Sequence, residues 1–304
     1  MLANFFGKTD PINFIIIFAL FLCYASAGFF LGFSEITSPI WISSQIGLYV
    51  LLFFFFNFIL AKNKLTLYNS YGFLFFILLF GIFPFTIFDR QELMVNLILL
   101  IMLRRVYSLR TPKSIYKKMF DSGFWLAILF ILDPFTLVFG FLIYSSILLF
   151  QKFNLKAAFS PIIGFIAPLI CYFTYCYWFD DANSFIQLFE WYTDYDFGFY
   201  QSNKVKIPMI LIGVIALLSI LFKTPKVFLV SGNYRKFWTL VILNLLVSIS
   251  FIVLAKNRNG AELMCAFFPA AVILTNGIEG FSKQIFRDVV LGLFVLAPII
   301  LFIT

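Results

Sequence analysis

The 304-residue chain contains no histidine, and that absence removes Ser/His/Asp triads, Cys/His dyads and the common Cys/His zinc sites. Cysteine is scarce. Cys23, Cys171, Cys176 and Cys265 all lie within apolar runs, so no disulfide framework is expected. Charge is the third shortage: only 12% of residues are Asp, Glu, Lys or Arg, against about 25% in a typical soluble domain. Long polar stretches are missing too, since the widest gap between apolar runs, 179 to 206, is too short to bury a core of its own. Proton chemistry is left to carboxylates, Tyr or Lys, and neither a cofactor nor a metal is expected.

What fills the chain instead is apolar. Hydrophobic residues make up 62% of it, 46 of them Phe, in runs long enough to cross a hydrocarbon layer of about 30 Å. Eleven spans are read, at 12–31, 43–60, 71–88, 93–108, 122–132, 134–150, 157–178, 207–222, 237–255, 262–278 and 288–304. Each is expected to be helical, because backbone polar groups cannot go unpaired in lipid. The predicted fold is an all-α transmembrane bundle forming a single integral membrane domain over 1–304. The run at 122–132 is too short to cross alone and reads as a half-helix packed on protein. The run at 93–108 takes in Arg104 and Arg105 and is expected to end among headgroups. The first run reads as a retained span despite the small residues Ala25, Ser26 and Ala27, because it continues through Phe29, Phe30 and Leu31.

Charge sign alternates from gap to gap. With the N-terminus placed inside, the cytoplasmic gaps hold 17 of the 22 Lys and Arg, and the opposite gaps hold ten of the 14 acids. The positive-inside rule turns that bias into an orientation, N-terminus cytoplasmic. The formal net charge of +8 is therefore spread over short loops that meet anionic headgroups, and no nucleic-acid partner is expected. Residues 104–118 are the densest basic stretch and read as an interfacial segment. At 185–200, Phe185, Phe189, Trp191, Tyr192, Tyr195, Phe197, Phe199 and Tyr200 alternate with Glu190, Asp194 and Asp196. That mixture suits an interfacial helix, a ligand rim or a surface for an envelope partner.

Ionisable groups near membrane depth are the sharpest pointers to function, since each costs on the order of 3 kcal/mol at a helix centre. Asp133, followed by Pro134, interrupts the uncharged run from 124 to 150 and reads as the outer tip of a hairpin. Two outer gaps are crowded with charge: Asp89, Arg90 and Glu92 in one, Lys256, Arg258 and Glu262 in the other. Glu35 is the lone charge between the first two spans. Glu35, Asp89, Arg90, Lys256, Arg258 and Glu262 are expected to meet in one outer cavity, with Glu35 or Asp89 as the catalytic base. Arg90, Lys256, Arg258 and Glu262 would form the substrate-binding set, because arginines beside carboxylates suit an anionic lipid headgroup.

Three stretches carry a family resemblance: FDRQELMVNLILLIMLRRVYSL at 88–109, GFWLAILFILDPFTLVFGFLIYSSILLFQKF at 123–153, and NRNGAELMCAFFPAAVILTNGIEGFSK at 257–283. They resemble, in turn, the fourth-helix region, the paired short helices and the proline-containing late helix of the glycosyltransferase-C superfamily. The resemblance implies a transferase that takes a sugar from a polyprenyl-phosphate donor at the outer face of a bacterial inner membrane. The first outer gap, with Glu35 alone, departs from the long acidic loop of that superfamily, and the run to Thr304 leaves no soluble C-terminal domain. Both are traits of a reduced or inactive relative. The alternative expectation is a non-catalytic membrane subunit or scaffold of a cell-envelope assembly, docking through 185–200.

Overall fold

A backbone in hydrocarbon has no water to bond, so each apolar run must close its own N–H···O=C ladder. In the computed structural model, which describes residues 2–32, 39–191, 196–229, 232–256, 258–281 and 283–303, helices do this throughout and no strand occurs among the described residues. In chain order the helices are α1 (Leu2–Phe6), α2 (Pro11–Phe30), α3 (Pro39–Asn63), α4 (Tyr71–Ile82), α5 (Arg90–Tyr107), α6 (Ile115–Leu132) and α7 (Gly140–Leu149). There follow α8 (Leu155–Trp178), α9 (Ala182–Gln187), α10 (Gly198–Gln201), α11 (Asn203–Phe228), α12 (Gly232–Leu254), α13 (Met264–Glu279) and α14 (Gln284–Ile303). Short 3₁₀ turns at Pro84–Ile87, Ser108–Arg110, Pro134–Phe139 and Ala261–Leu263 bridge several of them.

Every run expected to span corresponds to a helix, yet six helical segments among the described residues are long and apolar enough to cross a membrane. These are Pro11–Phe30, Ile40–Asn63, Leu155–Trp178, Asn203–Phe228, Gly232–Leu254 and Ala261–Glu279. The fold is therefore the all-helical bundle of a polytopic membrane protein. The half-helix expected at 122–132 is corrected. Its helix, α6, starts at Ile115 and has 18 residues. An apolar-run criterion stops at Lys117, Lys118 and Asp121, but the backbone does not. Asp121 is held by Arg105 at 2.9 Å, and Lys118 Nζ donates to the Ser108 carbonyl at 2.8 Å and the Thr111 carbonyl at 3.0 Å. The interfacial segment expected at 104–118 thus divides into the end of α5, a 3₁₀ turn and the start of α6. Pro134 opens the 3₁₀ turn that separates α6 from α7, at a first position where its missing N–H costs no bond.

Two helices form the centre. All twelve residues of α4 are buried, and the apolar window of α13 is 89% buried. Pro269 inside α13 cannot donate to the carbonyl of Cys265. Ser248 of α12 donates there instead at 3.1 Å, and Asn96 of α5 donates to the neighbouring Met264 carbonyl at 2.8 Å. Around this centre, α8 and α11 bury only 22% and 17% of their windows, and their exposed Ile, Leu and Phe are the surface that lipid covers. The α8 helix meets α6 backbone to backbone. A β-carbon on Gly123 would lie 1.9 Å from the Pro161 carbonyl oxygen, and one on Gly164 would lie 2.1 Å from that of Phe120. Small residues that let backbones approach are the usual means of joining helices where no hydrophobic effect acts between them.

Hydrogen bonds between distant residues gather at the two ends of the bundle, as alternating charge requires. At one end, Glu279 accepts from Leu67 N and Asn69, Asn276 donates to the Leu65 carbonyl, and Asp288 accepts from Ala3 N. At the other, residues 84–92, 132–136, 196–202, 254–256 and 258–263 meet. The Asp133–Pro134 turn lies at this second end, where Gln91 reaches the Leu132 carbonyl at 3.5 Å.

Candidate functional site

The second end is built on helix starts. Asp89 precedes α5 in extended conformation, and its Oδ1 accepts from Glu92 N at 2.9 Å, capping the helix. Its Oδ2 accepts from the Asn259 side chain at 2.9 Å, joining two gaps separated by 170 residues in sequence. Asn259 also accepts from Ala261 N at 3.0 Å. Between them Gly260 takes φ +87°, and a β-carbon there would lie 2.3 Å from the Phe199 ring and 2.5 Å from Phe85. Only glycine fits that turn.

The turn delivers Glu262 into the bundle, fully buried, where its Oε1 accepts from the Tyr200 hydroxyl. Glu92 is buried one turn into α5, within electrostatic reach of Asp133, Asp89 and Glu262. Asp133 is buried as well, its Oδ1 accepting from Phe135 N at 2.9 Å. Glu92 and Glu262 each keep one buried carboxylate oxygen without a hydrogen-bond partner in the structure. Arg258 lies 4.4 Å over the Phe197 ring and donates to the Val253 carbonyl at 2.7 Å; its charge acts on Glu262 and Tyr200. Lys256 is exposed, with its charge acting on Asp133.

Of the residues expected to converge, Asp89, Arg258 and Glu262 belong to this cluster, and Lys256 lies at its edge. Arg90 is exposed at the first position of α5. Glu35 lies outside the described residues, as do Tyr192, Asp194 and Tyr195 of the aromatic segment. The rest of that segment folds back on the bundle: Phe185 packs on Phe173 at 5.1 Å, Phe189 on Phe130 at 5.7 Å and Trp191 on Phe135 at 5.9 Å. Four members, Glu92, Asp133, Asn259 and Tyr200, are not among the site residues expected from sequence, Asp133 being read there as a hairpin tip. Glu92 was readable from the Asp-x-x-Glu spacing at a helix start. Asn259 and Tyr200 carried no such signal, because their partners are remote in the chain.

A lipid-facing groove of about 450 Å³ opens between α11, α12 and α13. Its walls are almost wholly apolar, including Leu217, Ile249 and Phe267, and it ends at Phe197 and Tyr200. The groove thus runs from the bundle surface to the residue that hydrogen bonds Glu262. An acyl or prenyl chain fits its chemistry, with a polar headgroup beside Arg258.

Over residues 1–304 the sequence matches DUF6427, described as a family of unknown function, and the chain belongs to that family. Comparison with curated proteins and with solved structures gives no match.

Proposed function

Taking that membership as the premise, we propose that this protein is a sugar transferase of the bacterial inner membrane that uses a polyprenyl-phosphate-linked donor. The acidic end faces outward, the N-terminus is cytoplasmic, and the shorter helices complete about eleven crossings within the bundle. The observation that carries the reading is the apolar groove with Tyr200 in its wall, since Tyr200 donates to the buried Glu262. The prenyl chain occupies the groove, and Arg258 holds the phosphate, with Lys256 and Arg90 at the rim. The acceptor hydroxyl attacks the anomeric carbon while the bond to the lipid phosphate breaks. Its proton passes through the Tyr200 hydroxyl to Glu262. Asp89, with both oxygens engaged, acts as a positioning residue through Asn259. The distribution of 17 basic residues on one side supports the orientation.

The test uses the full chain in nanodiscs, offered polyprenyl-phosphate sugars with radiolabelled sugar. Label should leave the lipid, and Glu262→Gln and Tyr200→Phe should each slow the transfer by about a hundredfold or more with the protein still folded. If polyprenyl phosphate binds no better than phosphatidylglycerol and no label moves, the transferase reading fails. The exposed Tyr177, Trp178 and Phe179 beside 185–200 favour the scaffold reading in that case, with an envelope protein as partner.

A further inference from the structure

The opposite end holds a second cavity, of about 380 Å³, that the proposed transfer does not use. It forms where the end of α3, the end of α5 and the start of α6 come together, so its walls join segments 62–63, 104–111 and 113–118. Seven cationic side chains line it, among them Lys62, Arg104, Arg110 and Lys117, and no acid does. Arg105 is neutralised from outside by Asp121 at 2.9 Å. Lys62 and Arg104 both lean on the Phe58 ring, at 5.0 and 4.9 Å, and Arg110 lies 5.6 Å over Phe237. Ring faces offset part of the charge but bring no anion.

Three features separate this cavity from an ordinary basic flank touching headgroups. It is concave and of small-ligand size. Its charges come from three separate segments, so folding draws together cations that repel one another. Burial and the charges of Lys62 and Arg105 pull the Lys118 ammonium below the ordinary lysine range, the sign of a cation cluster still short of counter-charge. The Ser108 and Thr111 hydroxyls on the cavity wall already donate to the Arg105 and Ser108 carbonyls, at 2.9 and 3.0 Å, so the cations are its principal donors. The α6 helix also begins at this wall with no side-chain cap from Ser114, leaving first-turn N–H groups to an anion.

We propose that this cavity is a binding site for a phosphate-bearing anion at the end opposite the carboxylate cluster. Guanidinium groups match phosphate oxygens in pairs, and the lysines add point charge. The same chemistry is offered by a phosphomonoester lipid headgroup and by a soluble phosphate or diphosphate, and the two are distinguished by experiment.

The full chain is placed in vesicles of phosphatidylcholine containing phosphatidic acid, extracted, and weighed intact with its retained lipid. In parallel, its thermal midpoint is followed in phosphatidylcholine nanodiscs on addition of inorganic pyrophosphate. Removing a cation beside an anionic ligand weakens binding roughly fivefold, so Lys62→Gln/Arg104→Gln/Lys117→Gln should lose about a hundredfold. Lys152→Gln/Lys156→Gln, which removes basic residues outside the cavity, should change little. Selective retention of phosphatidic acid assigns the site to lipid, and a shift with pyrophosphate alone assigns it to a soluble anion. Absence of both in the parent chain overturns the proposal. So does equal loss in the triple and control variants, which would mark a diffuse basic surface.

Discussion

The two ends of this bundle handle charge in opposite ways. At the acidic end, Asp89, Asp133 and Glu262 are turned onto backbone or side-chain donors, and three of the four clustered carboxylates, Glu92, Asp133 and Glu262, are buried. At the basic end the cations line an open cavity, and only Arg105 has a carboxylate within 4 Å among the described residues. The first arrangement ties fold to charge, so altering it should cost stability. The second leaves charge available to something outside the chain, so altering it should cost binding and little else.

The sharpest way to break the comparison is to ask whether the ends lie on opposite sides of a membrane. On a background lacking the four native cysteines, Asn183→Cys and Asn203→Cys should react fully with an impermeant thiol reagent from outside, and Ser114→Cys only after permeabilisation. Reversed labelling would invert the orientation without touching the fold. Next in size is Glu262→Lys, which buries a cation where Tyr200 donates its proton. A cost of about 3 kcal/mol or more is expected, read as loss of folded protein on detergent extraction. Asp89→Ala removes a helix cap and the link to Asn259, for about 1 to 2 kcal/mol. Asp89→Asn keeps the capping oxygen and should recover most of that in a thermal melt. Smallest is Lys113→Gln/Lys117→Gln at the basic end, expected within about 0.5 kcal/mol of the parent. A larger loss there would mean that the basic end is structural too.

Charge alternation made the two ends legible from sequence because it is a one-dimensional signal: each gap is short, and its sign survives without knowing what it touches. The partners within each end were not legible. Asp89 and Asn259 are joined across 170 residues, and nothing in either gap names the other. The choice of central helices was hidden for a different reason. Both α4 and α13 are apolar on all sides, but so is α2, and an apolar face gives the same pattern whether lipid or protein covers it. The start of α6 was misplaced because hydropathy follows side chains, while helix continuity follows backbone bonding, which Lys118 leaves intact by folding back on Ser108.

The place of α13 at the centre sets a timetable for biogenesis. Its main neighbours α4, α5, α11 and α12 all precede it in the chain, so they enter the membrane before the helix that joins them exists. Until residues 261–279 leave the ribosome, these helices lack the partner that α13 supplies. During that interval Asn96 and Ser248 lack the Met264 and Cys265 carbonyls that later receive them. The bundle is therefore completed late and by addition of its core, and a stalled chain carries polar groups without these acceptors, by which an unfinished molecule can be told from a finished one.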